Sequence, residues 1–221
     1  DKKQYVKKST FAAYQLLIQN HILPRFGEMK EVKEEDVQSF ALEKLSAGLS
    51  EKTIKDIIIV LKMILKFAVK NGYLDYVQID VKFPTNQQKK ELEVFSKSDQ
   101  KKFMNYLRDN FTFKNLGIFI CLSTGMRIGE ICGLRWQDVD VDDGVIMVRH
   151  TLQRIYILDE GERHTEIILD TPKTSNSIRD IPMSSELLRI MKQFNKVVND
   201  DYFVISNDIN PIEPKIYRKY Y

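Results

Sequence analysis

The segment that follows Ser50 limits the first part of this chain to a helical fold. Ser50 is a favoured helix N-cap, and Gly72 is a typical helix stop. Between them, the residues TIKDIIIVLKMILKFAVK carry apolar side chains at helical spacing. Lys62 and Lys66 interrupt the apolar run, which is therefore too short to span a membrane. We expect this helix to bury one face in a core.

Two further helices are expected before it. Residues 9–23 have helical spacing, with Ser9 or Thr10 as the expected cap and Pro24 as the expected end. Residues 34–45 carry a second helical pattern. Three helices joined by short loops predict a small bundle.

The composition changes after this bundle, which we expect to form a helical domain over residues 1–75. Residues 76–95 lose the helical period and are rich in polar residues, with one proline, a composition typical of a linker. A second domain is therefore expected over residues 96–221.

The second domain is expected to begin with helices. The run from Ser96 to Asp99 has the pattern of a capping box, and helical spacing follows over residues 103–107. Another helix is predicted over residues 113–124, ending at Gly125.

Short β-rich segments follow Trp136 and predict a small antiparallel sheet. These segments are residues 145–148, 165–169 and 177–181. Helical spacing returns over residues 187–194, and residues 202–205 are predicted to form a short strand. The expected fold class is mainly α with a small antiparallel β-sheet, an α+β fold.

Composition does not identify a partner. The formal net charge is +3, with 16 Lys and Arg against 13 Asp and Glu in residues 1–95, and 18 of each in residues 96–221. Cys121 and Cys132 lie eleven residues apart in apolar surroundings, which favours buried thiols in a reducing cytoplasm over a disulfide framework or a zinc site. The first residues do not carry the pattern of a secretion signal.

The segment TGMRIGEICGLRWQDVD, residues 124–140, combines a helix end with an arginine. Gly125 ends one helix and Arg127 begins the next. Glu130 follows three residues later, so its carboxylate can hold the guanidinium group of Arg127. An arginine fixed in this way can bind two oxygens of a phosphate. The spacing alone also fits an ordinary exposed Arg–Glu pair.

The segment TPKTSNSIRDIP, residues 171–182, is predicted to form a polar hairpin turn between two strands, with Lys173 at its lip. Such a turn can deliver an ammonium group into a groove. As an isolated pattern it is weak, because a lysine in a turn is usually solvated.

Together and in this order, the segments 124–140 and 171–182 resemble those of the tyrosine recombinase family of phage and mobile-element integrases. The resemblance is diffuse over residues 1–95, where the bundle resembles the core-binding domain of the family. It implies that residues 96–221 are the N-terminal portion of a catalytic domain.

The resemblance also implies roles for three residues. Arg127 would bind the scissile phosphate, Glu130 would support Arg127, and Lys173 would donate a proton to the leaving 5′ oxygen. In the family, a tyrosine attacks the phosphate to give a 3′-phosphotyrosine link, so no metal ion or other cofactor is expected.

The partner implied by the resemblance is double-stranded DNA, bound in the full-length protein by a homotetramer on paired DNA sites. A location in the bacterial cytoplasm is expected. The long stretch from Arg149 to Thr171 resembles integrases of phages and conjugative elements more than compact chromosome-dimer resolvases.

Candidate DNA contacts lie in two regions. The start of the helix after Ser50 favours phosphates, although Glu51 and Asp56 dilute its positive field. The candidates there are Ser50, Lys52, Thr53 and Lys55. The candidates near the lysine turn are Arg149, His150, Thr174 and Arg179. Arg179 could equally pair with Asp180 or Asp170 on the sheet surface.

The family's other catalytic groups are a His-x-x-Arg segment, a further His or Trp, and the nucleophilic tyrosine, which follow the lysine turn. The 221 residues contain no His-x-x-Arg sequence. We expect Tyr217, Tyr220 and Tyr221 to pack rather than to react. The chain is therefore predicted to be an inactive fragment of a recombinase, truncated before its nucleophile. The alternatives are a non-catalytic DNA-binding or regulatory relative, and a helical protein-interaction module.

Overall fold

A computed structural model describes most of the chain. The described residues are 2–76, 78–84, 93–159, 162–172 and 177–220. The chain divides into two units, each with a hydrophobic core of its own. The first unit is Asp1–Glu91 together with Tyr156–His164, and the second is Leu92–Ile155 together with Thr165–Tyr221.

The first unit is helical. Its helices are α1 (Lys8–Leu17), a π-helical turn (Ile18–Ile22), α2 (Leu23–Phe26), α3 (Glu34–Ser46) and α4 (Glu51–Lys70). The Ser50 hydroxyl caps α4 by accepting a hydrogen bond from the backbone N–H of Thr53 at 3.1 Å. Gly72, just past α4, has a φ of +72°. The predicted helix from Ser50 to Gly72 is therefore confirmed, as is the helix predicted over residues 34–45.

The predicted start and end of the first helix are wrong. Helix α1 begins at Lys8, after Lys7, without a side-chain cap, so neither Ser9 nor Thr10 is its N-cap. Pro24 lies in the first turn of α2, which follows directly on the π-helical turn Ile18–Ile22. Helical backbone therefore continues past the proline.

The core of the first unit is formed mainly by the apolar faces of α3 and α4. Its buried residues include Val37, Phe40, Ile54, Ile57 and Leu61. Ile79 joins this core, and Gln38 exchanges two hydrogen bonds with the backbone of Lys82, at 2.9 and 3.0 Å. Residues 78–83, which lie in the predicted linker, thus pack on the first unit. The domain bounds at residues 75 and 96 stay a prediction.

The second unit contains five helices among the residues that the structure describes. They are α5 (Lys97–Asp109), α6 (Phe113–Thr124), α7 (Ile128–Cys132), α8 (Ser185–Phe194) and α9 (Pro214–Arg218). Ser96, Thr112 and Ser184 cap α5, α6 and α8, each by accepting a hydrogen bond from the backbone N–H three residues later. The N-cap at Ser96 and the helix that ends at Gly125 are confirmed, but Oδ2 of Asp99 accepts from the hydroxyl of Ser96 rather than from its backbone N–H, so a full capping box is not formed.

The described residues also contain two sheets, one of which extends into Tyr156–His164 of the first unit. The strands are β1 (Val139–Asp140), β2 (Val145–Val148), β3 (Thr151–Asp159), β4 (Glu162–Asp170) and β5 (Arg179–Pro182). One sheet has the antiparallel order β1-β2-β5, with Val148 opposite Arg179. The other sheet pairs β3 with β4. The expectation that residues 165–169 share a sheet with residues 145–148 is therefore wrong, and β3 was not predicted.

The strand predicted at residues 202–205 is also wrong. The backbone N–H of Asn207 donates to the carbonyl of Phe203, and the N–H of Phe203 donates to the carbonyl of Asp208, so the chain turns here. Asn207 has a φ of +47°, which asparagine tolerates better than most residues. Phe203, Val204 and Ile205 are apolar because they are buried, not because they form a ladder.

Trp136 lies in the core of the second unit, and its Nε1 donates to Oδ1 of Asn207 at 3.2 Å. The neighbouring Cys132 is buried, and burial raises the pKa of its thiol to about 12. Cys121 is half-buried, and burial raises its pKa as well. The expectation of buried thiols is thus met fully by Cys132 and in part by Cys121.

The two units together have the expected fold class, mainly α with small antiparallel sheets. Within the described ranges, no helix has both the length and the apolar character needed to cross a bilayer.

Candidate active site

Arg127 connects α6 to α7. Helix α6 ends at Gly125, whose φ of +67° is a left-handed conformation that glycine adopts without a Cβ clash. Met126 is buried in the core, and Arg127 follows with extended backbone immediately before α7. The side chain of Arg127 is 70% exposed. The local fold therefore anchors the backbone of Arg127 and leaves its guanidinium group open to solvent.

Glu130, in the first turn of α7, binds Arg127 twice. Its Oε2 accepts a hydrogen bond from the backbone N–H of Arg127 at 2.9 Å, which caps the helix. Its Oε1 accepts from Nη1 of Arg127, also at 2.9 Å. Glu130 itself is only 3% exposed. The contact that the three-residue spacing predicted is present.

Arg179, the first residue of β5, binds the same carboxylate. Its Nη1 lies 3.2 Å from Oε1 of Glu130 and its Nη2 lies 2.9 Å from Oε2. The Nη1 group also donates to the carbonyl of Ser177 at 3.1 Å. The alternative pairing of Arg179 with Asp180 or Asp170 is wrong, because Asp180 binds Arg149 and the carboxylate that holds Arg179 is Glu130.

The charges of this cluster favour an anion. Burial alone would raise the pKa of Glu130, but hydrogen bonds from Arg179 and Arg127 outweigh burial and hold its pKa below the usual glutamate value. Two guanidinium groups around one ionised carboxylate leave one positive charge in excess. Because Arg127 faces solvent, this excess charge is available to a phosphate group.

Arg149 and His150 directly follow β2, the strand that pairs with β5. Arg149 binds Oδ1 of Asp180 at 2.5 Å and donates to the backbone carbonyl of Arg179 at 3.2 Å. The Nδ1 atom of His150 is buried without a hydrogen-bond partner in the described part of the chain. Burial raises the pKa of nearby Asp138, although the charges of His150 and Arg149 oppose the shift.

Lys173 and Thr174 lie outside the described residues. The strands on either side of their segment belong to different sheets, since β4 pairs with β3 and β5 pairs with β2. The expectation that residues 171–182 form a hairpin turn between two paired strands is therefore wrong. The roles expected of Lys173 and Thr174 stay predictions.

The four candidates at the start of α4 are largely engaged within the first unit. Ser50 and Thr53 share a hydrogen bond between their hydroxyl groups at 2.8 Å. Lys55 pairs with Glu51 and lies 5.1 Å from the ring centroid of Phe83. Lys52 is exposed, and no described carboxylate forms an ion pair with it. The DNA contacts expected of these residues, and of those near β5, stay predictions.

A lysine-lined cleft near the other end of α4 was not predicted. It is an open cleft of about 870 Å³. Its lining includes Lys62, Lys66 and Lys70 of α4 and the exposed rings of Tyr73 and Tyr76. The four-residue spacing of the three lysines places them on one face of the helix, and that spacing is visible in the sequence.

The tyrosines near the end of the chain pack against α6. Tyr217 is buried, and its hydroxyl donates to the carbonyl of Lys114 at 2.5 Å. The hydroxyl of Tyr220 donates to Oδ1 of Asn115 at 2.9 Å. Packing was the expected role of both residues, whereas Tyr221 lies outside the described part of the chain.

Two family models match this chain. The model described as phage integrase family matches residues 93–221, and the model described as phage integrase, N-terminal SAM-like domain, matches residues 1–45. The SAM-like match lies within the first unit, and the other match covers nearly all of the second unit together with Tyr156–His164 of the first.

Curated relatives include a tyrosine recombinase XerC-like protein of Caldanaerobacter subterraneus, 31% identical over 85% of this chain and 50% of that protein. The ICEBs1 integrase of Bacillus subtilis is 23% identical over 86% of this chain and 50% of its own length. The chain thus spans about half the length of these relatives. A solved structure of the Tn1549 transposon integrase with a circular intermediate DNA superposes with a TM-score of 0.73, at 24% identity, over 96% of this chain and 70% of that one.

Proposed function

The chain belongs to the phage integrase family of tyrosine recombinases, and we propose that the whole protein is a site-specific DNA recombinase of a mobile element or phage. The chain spans about half of its curated relatives, so the activity proposed is that of the whole protein. Double-stranded DNA is its substrate, and a homotetramer on paired sites is its working form.

One observation carries this proposal. Arg127 is anchored by its backbone, braced by a buried carboxylate and open to solvent at its guanidinium group. The planar fork of such an arginine matches two oxygens of a phosphodiester. The excess positive charge around Glu130 would stabilise the phosphate more strongly as negative charge develops on it during the reaction.

The proposed reaction is a transesterification. A tyrosine oxygen attacks the scissile phosphorus, the bond to the 5′ oxygen breaks, and a 3′-phosphotyrosine link is formed. Lys173 gives its proton to the departing 5′ oxygen, while Arg127 stabilises the charge on the other phosphate oxygens. The phosphodiester bond is exchanged rather than hydrolysed, so religation to another strand needs no energy source.

The test compares substitutions of Arg127 and of Lys173 in the whole protein, which should impair cleavage for different chemical reasons. Arg127→Ala removes charge compensation at the phosphate, and Arg127→Lys does not restore it, because an ammonium group cannot bind two oxygens as the planar fork does. Cleavage should be lost with both variants. Lys173→Ala removes only a proton donor. In a substrate with a bridging 5′ sulfur, the sulfur leaving group departs without protonation. Such a substrate should restore much of the cleavage rate of Lys173→Ala but not that of Arg127→Ala.

The measurement is the single-turnover cleavage rate on matched oxygen and bridging-sulfur duplexes that carry the cognate site. Arg108→Ala, in an exposed pair with Glu186 on the same unit, is the control for loss of an arginine. If Lys173→Ala cleaves the sulfur substrate as poorly as Arg127→Ala does, the proposed role of Lys173 is overturned. Full cleavage by Arg127→Ala would overturn the proposed site, whereas absence of cleavage by the unaltered whole protein would leave non-catalytic DNA binding as the alternative.

The 221 residues alone should bind DNA without cleaving it. Their sequence contains no His-x-x-Arg segment, and the buried Tyr217 is engaged with the backbone of α6. A covalent adduct between this chain and a nicked duplex, detected on a denaturing gel, would contradict this expectation.

A further inference from the structure

Arg127 and Arg179 reach one buried carboxylate from two different elements. Arg127 precedes α7, whereas Arg179 begins β5, and 49 positions separate Arg179 from Glu130 in sequence. Oε1 of Glu130 accepts from both arginines, and Oε2 accepts from Arg179 and from the backbone N–H of Arg127. Both oxygens of the carboxylate are therefore held by two donors each.

The two arginines differ in how many of their guanidinium N–H donors are used within the described residues. Arg179 uses both terminal nitrogens on Glu130 and donates once more to the carbonyl of Ser177, so its fork is occupied. Arg127 gives only Nη1 to Glu130, and its Nη2 and Nε have no hydrogen bond with a described residue. Arg127 is also far more exposed, with 70% of its side chain accessible against 30% for Arg179.

We propose that Arg179 is a positioning residue, which fixes the Glu130 carboxylate so that Glu130 holds Arg127 in the orientation that binds the scissile phosphate. This inference rests on the proposed function. It replaces a direct DNA contact of Arg179 with an action through Glu130.

Two physical consequences follow from losing Arg179. The buried carboxylate of Glu130 would keep Arg127 as its one side-chain partner, and an ionised group in a poorly solvated place draws strongly on the partner that remains. Arg127 would then be fully neutralised by Glu130, since the excess positive charge of the cluster is gone. The phosphate would meet a weaker and less well aligned arginine.

The chain offers a matched control for this effect. Arg154 also binds a buried carboxylate through two nitrogens, with Nε 2.7 Å from Oε1 of Glu213 and Nη2 3.0 Å from Oε2. Its exposure is similar, at 36% of the side chain. Among the described residues, no hydrogen bond or ion pair joins Arg154 or Glu213 to Arg127 or Glu130, so replacing Arg154 removes a comparable ion pair outside the Glu130 cluster.

The experiment measures single-turnover cleavage by the whole protein and by the variants Arg179→Ala, Arg179→Lys, Glu130→Gln and the double variant Glu130→Gln with Arg179→Ala. Arg154→Ala and Arg154→Lys are the controls. Circular dichroism over a temperature series verifies that each variant is folded at the assay temperature. Arg179→Lys is the milder change if Arg179→Ala does not fold.

We expect both Arg179 variants to lose about 100-fold in cleavage rate, the scale of a misplacement of about 1 Å at a reacting group. The Arg154 variants should stay close to the unaltered rate. Because Arg179 acts through Glu130, the double variant should be no slower than Glu130→Gln alone. A merely structural role would slow the Arg154 and Arg179 variants alike.

Two outcomes would overturn this inference while leaving the proposed function intact. One is cleavage by the Arg179 variants at the rate of the Arg154 variants. The other is a double variant that loses the product of the two single losses, which would mean that Arg179 acts independently of Glu130. Absence of cleavage by the unaltered whole protein would instead overturn the proposed function, and this inference with it.

Discussion

At the scale of single residues, Glu130 is a buried acid that stays ionised because two arginines hold it. Its pKa is lowered in the folded state, so its ion pairs contribute stability that is fully present above the pKa of the unfolded chain, about 4.3. That stability is lost as the pH falls through the lower pKa of the folded state. The sign is the usual one for a paired carboxylate.

We therefore predict that Glu130→Gln lowers the free energy of unfolding of the second unit by about 2 kcal/mol at neutral pH. The exposure of Arg127 keeps the figure below that of a fully buried pair. The difference between wild type and variant should shrink below about pH 4, where the wild-type carboxylate becomes protonated. This difference in unfolding free energy is measured by urea unfolding followed by Trp136 fluorescence, since Trp136 lies in the core of the second unit.

Glu213→Gln provides the comparison, because Arg154 also lowers the pKa of Glu213 but does so away from the proposed site. A wild-type advantage over Glu130→Gln that persists unchanged to strongly acid pH would show that charge on Glu130 is not its source. In that case the shape of the glutamate side chain, rather than its ionisation, would stabilise α7.

At the scale of elements, α6 and α9 approach closely at Gly117. A Cβ atom built on Gly117 would overlap both the hydroxyl group of Tyr217 and a methyl group of Ile205. Tyr217 cannot move easily, because its ring is buried and its hydroxyl is bonded to the Lys114 carbonyl of α6 itself. The glycine is therefore required by the packing of α9 rather than by a turn.

Gly117→Ala should destabilise the second unit by about 1–3 kcal/mol, the usual cost of overpacking a core. Tyr217→Phe removes one of the two overlapping atoms, so the same glycine substitution should cost less in that background. The measurement is a double-mutant cycle of unfolding free energies. Equal costs in both backgrounds would contradict the predicted clash with the hydroxyl group and leave Ile205 as its source.

The elements also mark what local sequence could predict. Ser50 and Ser96 cap their helices as expected, because N-capping depends on a few neighbouring residues. The predicted strand at residues 202–205 failed because burial and strand pairing both favour apolar residues. The partner of Arg179 was not predicted for another reason: Glu130 lies 49 positions away in sequence, and only the tertiary structure, in which β5 pairs with β2, brings the two residues together. The contact between Glu130 and Arg127 is local and could be predicted from the sequence. The contact between Glu130 and Arg179 depends on the tertiary structure and could not.

At the scale of the whole molecule, duplex binding by the 221 residues should be weak, sensitive to salt and dependent on both units. Each phosphate neutralised by a Lys or Arg releases bound counterions, so log K should fall linearly with log salt, by about 0.9 per contact. With six or more contacts, the affinity should drop by roughly 10³-fold or more between 50 and 200 mM salt. Binding that is indifferent to salt, or unchanged after removal of residues 1–75, would contradict this prediction.

The two ends of α4 allow this prediction to be made more specific. Lys52, at the N-terminal end, is exposed where helix amides also favour phosphate, whereas Lys70 is exposed in the lysine-lined cleft at the other end. Lys52→Gln and Lys70→Gln change the net charge equally, so a general electrostatic effect would weaken binding equally. If DNA lies along the start of α4, Lys52→Gln alone should reduce the salt slope by about one contact. Fluorescence anisotropy of a labelled duplex over a salt series measures both slopes. A slope reduced only by Lys70→Gln would move the DNA contact to the cleft lined by Lys62, Lys66 and Lys70, and would overturn the expected role of the residues around Ser50.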